Sequence, residues 1–270
     1  MRYAKLIFCW SFLMLLIACN KNLHVKYQHN TERSVSGTSF YKQVVAYNWK
    51  QRDSVFLEYF NQGNVPDFFF QFKPITFTYQ DSLGNDYKIS FYCSPDYAMI
   101  GTNEDWARVP LTPLAAQAMA DSLRCFLPTR KMVDLIYQNS KVKLEPVPMY
   151  AYRDSTVTMW QHHLIIEGQR KGMKGLISGI KKDVVICSKE AFKGRDNRVA
   201  IYGWHKLDGK PIQPLYTGHV NWYADYSHGA RMIYQMIRVD NKWINYRDVF
   251  NNPLLRSALS DEAGTMLLNY

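Results

Sequence analysis

The stretch that most constrains the fold runs from Arg198 to Val239, RVAIYGWHKLDGKPIQPLYTGHVNWYADYSHGARMIYQMIRV. Its two apolar runs, Val199 to Trp204 and Ala230 to Val239, read as buried strands. Between them lie His205, His219, Asp225 and His228, interleaved with Trp204, Trp222, Tyr223 and Tyr226. Three of the chain's seven histidines therefore fall within 24 positions, beside turn residues and aromatics. This clustering makes the stretch the expected working site.

At 270 residues, 47% hydrophobic and 15% aromatic, the chain has enough apolar matter for a full core. The reading is an α+β fold, a mixed or antiparallel sheet with several helices packed on it, in a single domain over residues 40–270. The lack of Gly or Pro from Phe40 to Asn61 suggests one or two helices, and Ile75 to Tyr79 with Tyr87 to Tyr92 reads as a β-hairpin. Thr112-Pro113 and Pro128-Thr129 open two further helices, and Ser155 caps a third that carries His162 and His163. Glu145-Pro146-Val147-Pro148 is a stiff connector. Asp183 to Cys187 suits a strand, and Lys242 to Asn245 pairs with Ala230–Val239 through the Asp240-Asn241 turn.

Arg2 and Lys5 precede an apolar run, Leu6 to Ala18, that ends in Leu16-Ile17-Ala18-Cys19. Those four residues after a short apolar segment resemble the lipobox of bacterial lipoproteins. The resemblance implies a signal peptide over 1–18, removed on export, and an acyl-modified Cys19 that partners the lipid bilayer of the cell envelope. Asn20 is not the Asp that marks inner-membrane retention, and no acidic cluster of the kind associated with surface export follows it. The resemblance then implies an outer-membrane anchor facing the periplasm. The polar stretch 19–39 reads as a flexible tether.

Removing the signal segment takes two of the 33 basic residues and none of the 23 acidic ones, leaving a surplus of eight positive charges. That surplus favours an anionic or glycan-type ligand, a lipid headgroup or a cell-wall polymer. The envelope address argues against nucleic acid. Cys93, Cys125 and Cys187 would allow one disulfide with one thiol over, with the pairing open.

Four constellations could carry chemistry. Neutral imidazole and carboxylate bind zinc, so His205, His219 and His228 are candidate metal ligands, with a metal-bound hydroxide as nucleophile. Without metal, Asp225 could orient His228 as a general base, with His205 as an additional catalytic group; the alternative is that these histidines bond main chain at strand ends. Cys125, ahead of a proline-started helix, could be a thiol nucleophile served by His228. Lys181 and Lys182, at the mouth of a strand, could grip an anionic group, or form a solvated strand end, as Arg231 could. Trp204, Trp222 and Tyr226 could stack on sugar rings or fill a core.

A cysteine followed by a helix and then a strand histidine resembles the order in NlpC/P60-type cell-wall peptidases, although Arg124-Cys125-Phe126 replaces their Asp-Cys-Ser-Gly. The phrases Leu127 to Asp134 and Tyr223 to Arg231 are similar to stretches of secreted bacterial proteins, a grouping that implies no mechanism. The favoured function is a hydrolase acting on a cell-wall peptide or glycan. The rival is a non-catalytic glycan- or ligand-binding lipoprotein.

Overall fold

The computed structural model describes residues 22–27 and 35–270. The expected signal segment and the candidate lipid site Cys19 lie outside them. Among the described residues there are seven α-helices and several sheets, mostly antiparallel, which make an α+β fold. No helix among them is long and apolar enough to cross a membrane.

The helices form where capping residues precede apolar periodicity. Ser36 caps α1 (Gly37–Gln43) and Asn48 caps α2 (Trp49–Asn61), each in a reciprocal capping box. Thr112 caps α3 (Pro113–Ser122), with proline in the first turn, and Thr129 caps α4 (Arg130–Asn139). Ser155 caps α5 (Thr156–Arg170), which ends at the left-handed Lys171. Asn245 caps α6 (Tyr246–Asn251), and α7 (Arg256–Leu259) follows it.

The larger sheet is built on the predicted hairpin, Gln71–Gln80 with Asp86–Cys93, paired from Lys73↔Cys93 to Gln80↔Asp86. Asp81 sets its turn by accepting hydrogen bonds from the Leu83 and Asn85 amides. Phe72 and Phe91 of this sheet, with Phe69 and Phe70 of the short 3-10 helix just before it (Asp67–Phe70), meet Phe40, Phe56 and Phe60 from α1 and α2 in the main core. The smaller sheet has the order Pro211–Tyr216, Ile201–His205, Lys182–Val184 and His228–Gly229, the last pair parallel.

Three features depart from the sequence reading. The run Ala230 to Val239 is not one strand: His228–Gly229 belongs to the smaller sheet, while Ile233–Tyr234 and Met236–Val239 join the larger. The crossing is held at Arg231, read as a solvated charge but wholly buried. Its guanidinium donates to the Ser94 and Ile177 carbonyls at 2.8 and 2.7 Å and lies over the Tyr97 ring, 3.7 Å from Asp183. Pro211–Tyr216 is an edge strand that its two prolines masked. The third departure is in the tether. Leu23–His24 already pairs with Gln71 and Phe72, and α1 starts at Gly37, so the described parts of 19–39 belong to the fold.

α5 is fixed through a buried ionic junction. Arg108 grips Asp96 with two bonds of 2.7 and 2.6 Å and reaches Glu167 on α5 at 2.8 Å. This junction fixes the helix whose first turn borders the cleft described next.

Candidate functional site

The predicted site residues divide into an enclosed group and an accessible one. His205, at the end of Ile201–His205, stacks on Tyr137 of α4 (ring centroids 4.5 Å apart), and its Nε2 lies 2.8 Å from Asp134 Oδ1. It is tied to α4, away from the other imidazoles. His219 is half-buried, and its ring centroid is 6.1 Å from that of His228. Among the described residues no group of three or more His, Cys, Asp or Glu side chains gathers closely enough to hold a metal ion. The zinc site expected from His205, His219 and His228 therefore does not assemble, because Asp134 and Tyr137 engage His205.

His228 is wholly enclosed, and neither ring nitrogen has a hydrogen-bond partner. Burial, opposed in part by the Asp225 charge, pushes its pKa down to about 4 and keeps the ring neutral. Asp225 is not its hydrogen-bonded orienting partner. Its Oδ1 accepts from the Ser227 amide and hydroxyl (2.8 and 2.5 Å), and its Oδ2 from Arg153 (2.9 Å) and the Tyr223 hydroxyl (3.3 Å). Burial pushes the Asp225 carboxyl up, but the nearby His228 and the Ser227 bonds outweigh it and hold the pKa at about 2. Asp225 is thus the staple of its own loop.

The lysine pair is enclosed too. Lys181 donates to the Tyr226 carbonyl and lies 3.2 Å from His162 Nδ1, and burial, with the Arg108 charge, pulls its pKa down to about 7. Lys182 lies over the Trp204 ring at 5.1 Å. Neither forms the solvated or anion-gripping strand mouth that was expected. Trp204 and Tyr226 are core residues, the latter accepting the Met149 amide at 2.7 Å. Cys125 is buried in a strand, its thiol directed at the Leu123 carbonyl, and burial alone raises its pKa well above the usual thiol range. Neither ring nitrogen of His228 bonds to the Cys125 thiol, which donates instead to Leu123, so the peptidase-like Cys125–His228 pair is not formed, and a thiol held protonated is a poor nucleophile. Cys93 and Cys187 are likewise buried free thiols. His162 and His163 are both buried.

Trp222 is different, with 44% of its surface exposed. With Val220, Tyr223 and Ala224 it forms one wall of a cleft of about 480 Å³. The other walls are Tyr47, Asn48, Trp49 and Arg52 from the start of α2, and Asp154 and Ser155 at the start of α5. Tyr223 is shared between the two groups, since its ring also packs on His219 at 4.6 Å. Four aromatic side chains and two helix N-termini thus border one opening, within the usual size range of ligand clefts, roughly 300–1,000 Å³.

The sequence reading found Trp222 and missed the facing side. Tyr47 and Trp49 were counted there only as helix positions. The overlooked signal was Arg52, four residues before Phe56 and eight before Phe60 on the buried stripe of α2. A charge on an apolar stripe marks either a buried ion pair or a site. No protein family, curated protein or solved structure matches the chain.

Proposed function

We propose that the chain is a lipid-anchored envelope protein that binds a glycan-type ligand in the cleft between the start of α2 and the Val220–Ala224 loop. One observation carries this reading: of the predicted site residues, the well-exposed one, Trp222, stands with three other aromatics around an opening, while His205, His228, Lys181, Lys182 and Cys125 are buried. Flat aromatic faces in a polar-rimmed cleft stack on the apolar faces of sugar rings and need no catalytic group.

The anchor proposal has support of its own kind. Three residues lie between Cys19 and Leu23, which is fixed in the larger sheet. Asn22 shares a cleft with Lys73, Lys141 and Lys174, so lysines cluster where an acyl chain would hold the fold to headgroups. Replacing Cys19 (Cys19→Ser) is expected to move the protein from the membrane to the soluble fraction and to abolish acyl mass on the N-terminal peptide. A wild-type N-terminal peptide without acyl mass would contradict the anchor.

For the cleft, the test is binding of the detergent-solubilised full chain to a panel of neutral and acidic oligosaccharides. Binding that Trp222→Ala weakens at least tenfold, with the fold intact by circular dichroism, is the expected result. No binding to any member would overturn the reading. Release of smaller fragments from a panel member, abolished by His228→Gln, would restore the hydrolase in its place.

A further inference from the structure

The cleft has a floor that the aromatic walls do not explain. Arg52 is 2% exposed, yet it is among the residues that line the opening. Its Nε has no hydrogen-bond partner, and among the described residues no carboxylate lies within ion-pair distance of its guanidinium. The other two arginines buried as deeply have partners at their terminal nitrogens: Arg108 holds Asp96 and Glu167, and Arg231 donates to two carbonyls, its own unbonded Nε lying 3.7 Å from Asp183. A guanidinium cannot shed its charge; the neighbouring Asp53 offsets part of it without an ion-pair contact, which leaves the donors of Arg52 to an anion that enters the cleft.

The surroundings point the same way. Asn48 and Trp49 begin the 13-residue α2, and Ser155 caps the 15-residue α5. Both helices turn their positive ends to this opening, where negative charge is stabilised. The charge of the guest is limited as well. Asp53, next to Arg52 and bonded to Thr112, and Asp154 at the rim would repel a dianion. One guanidinium fork with two carboxylates nearby suits a planar monoanion, which it can hold through two parallel hydrogen bonds.

We propose that the cleft takes a carboxylated sugar, its carboxylate held by Arg52 and its ring stacked between Trp49 and Trp222. This inference rests on the glycan-binding reading above and adds the acid. Arg52 and the tryptophans have separate roles, the arginine reading the carboxylate and the aromatics reading the ring whatever its charge.

The experiment titrates the detergent-solubilised full chain with three tetrasaccharides of equal length. One carries glucuronic acid, one the corresponding uronamide, and one glucose 6-sulfate. The wild type is expected to bind the acid about tenfold or more above the amide and to prefer it to the sulfate. Arg52→Gln should bring the acid down to the amide's affinity and leave the amide unchanged. Trp222→Ala should weaken acid and amide by the same factor. Should Arg52→Gln not fold, Arg52→Lys carries the test, since it keeps the charge but not the fork and should lower the acid-to-amide ratio. Equal affinities for acid and amide in the wild type, or a ratio that survives both Arg52 replacements, would overturn the inference and leave the glycan-binding reading standing. A preference for the sulfate would overturn the choice of a carboxylate. Binding of none of the three would overturn both readings together.

Discussion

Side chains that look reactive in the sequence serve as internal ties. Asp225 accepts four hydrogen bonds within its own loop and from Arg153. Its removal (Asp225→Ala) should cost about 2–3 kcal/mol, because it strands the buried amide and hydroxyl of Ser227 while the exposed Arg153 turns to water; urea denaturation measures this. Lys181 gives a pH signature. Its folded pKa of about 7 lies below the value near 10.5 of the unfolded chain, so from pH 7 upward the unfolded chain binds the extra proton. Stability supplied through this group therefore rises with pH, by at most about 1.4 kcal/mol per unit. Between pH 7 and 9, below the titration of most tyrosines, Lys181→Met should flatten that rise relative to wild type. An identical slope in the two proteins would show that the amine is not buried as described. These roles were hidden in the sequence because residue type gives chemistry and not address. Trp222 was legible as a candidate platform and stands exposed at the cleft, but Arg52 was not legible, since nothing local shows that its stripe position faces an opening.

At the scale of elements the sequence spoke clearly wherever a cap or turn residue has a mechanism. The hairpin through Asp81, the caps Thr112, Thr129 and Ser155, and the Asp240-Asn241 turn all stand where their chemistry requires. Thr112 has a double role: its Oγ accepts the Ala115 amide and donates to Asp53 Oδ2 at 2.5 Å. Thr112→Ala should therefore cost more than an ordinary cap, about 2–3 kcal/mol against about 1, and Thr112→Ser should restore most of it. Denaturant midpoints of the three proteins decide this, and equal costs for Ala and Ser would contradict the hydroxyl's role. The long apolar run to Val239 misled because periodicity cannot tell one strand from two joined by a crossing. Only the partners of Arg231, Ser94 and Ile177, show where the chain leaves one sheet for the other. Pro211 and Pro214 concealed an edge strand, where a missing amide is tolerated.

Across the whole molecule, buried neutral imidazoles make the fold acid-sensitive. Burial lowers His228 to about 4 and His163 to about 3, and lowers His162 further. Unfolded, each takes a proton near pH 6.5, so stability falls as pH drops from there towards 4. Asp183 opposes them, since burial raises it to about 6 and the folded state holds its proton more tightly; Asp53 and Glu262 act in the same sense. The clean reading is a difference. His228→Gln should lose stability less steeply than wild type between pH 6 and 5, by about 1.4 kcal/mol per unit at most. Parallel curves would contradict the enclosed, neutral ring.

The division into an enclosed polar interior and an open aromatic cleft is tested most directly by hydrogen–deuterium exchange on the detergent-solubilised full chain, with and without the glucuronic acid tetrasaccharide. Slower exchange is expected in peptides covering Tyr47 to Val55, Ser155 to Met159 and Val220 to Tyr223, with Lys182–Val184 and Ile201–His205 unchanged. Protection centred on those two strands, with the cleft segments unaffected, would contradict the account.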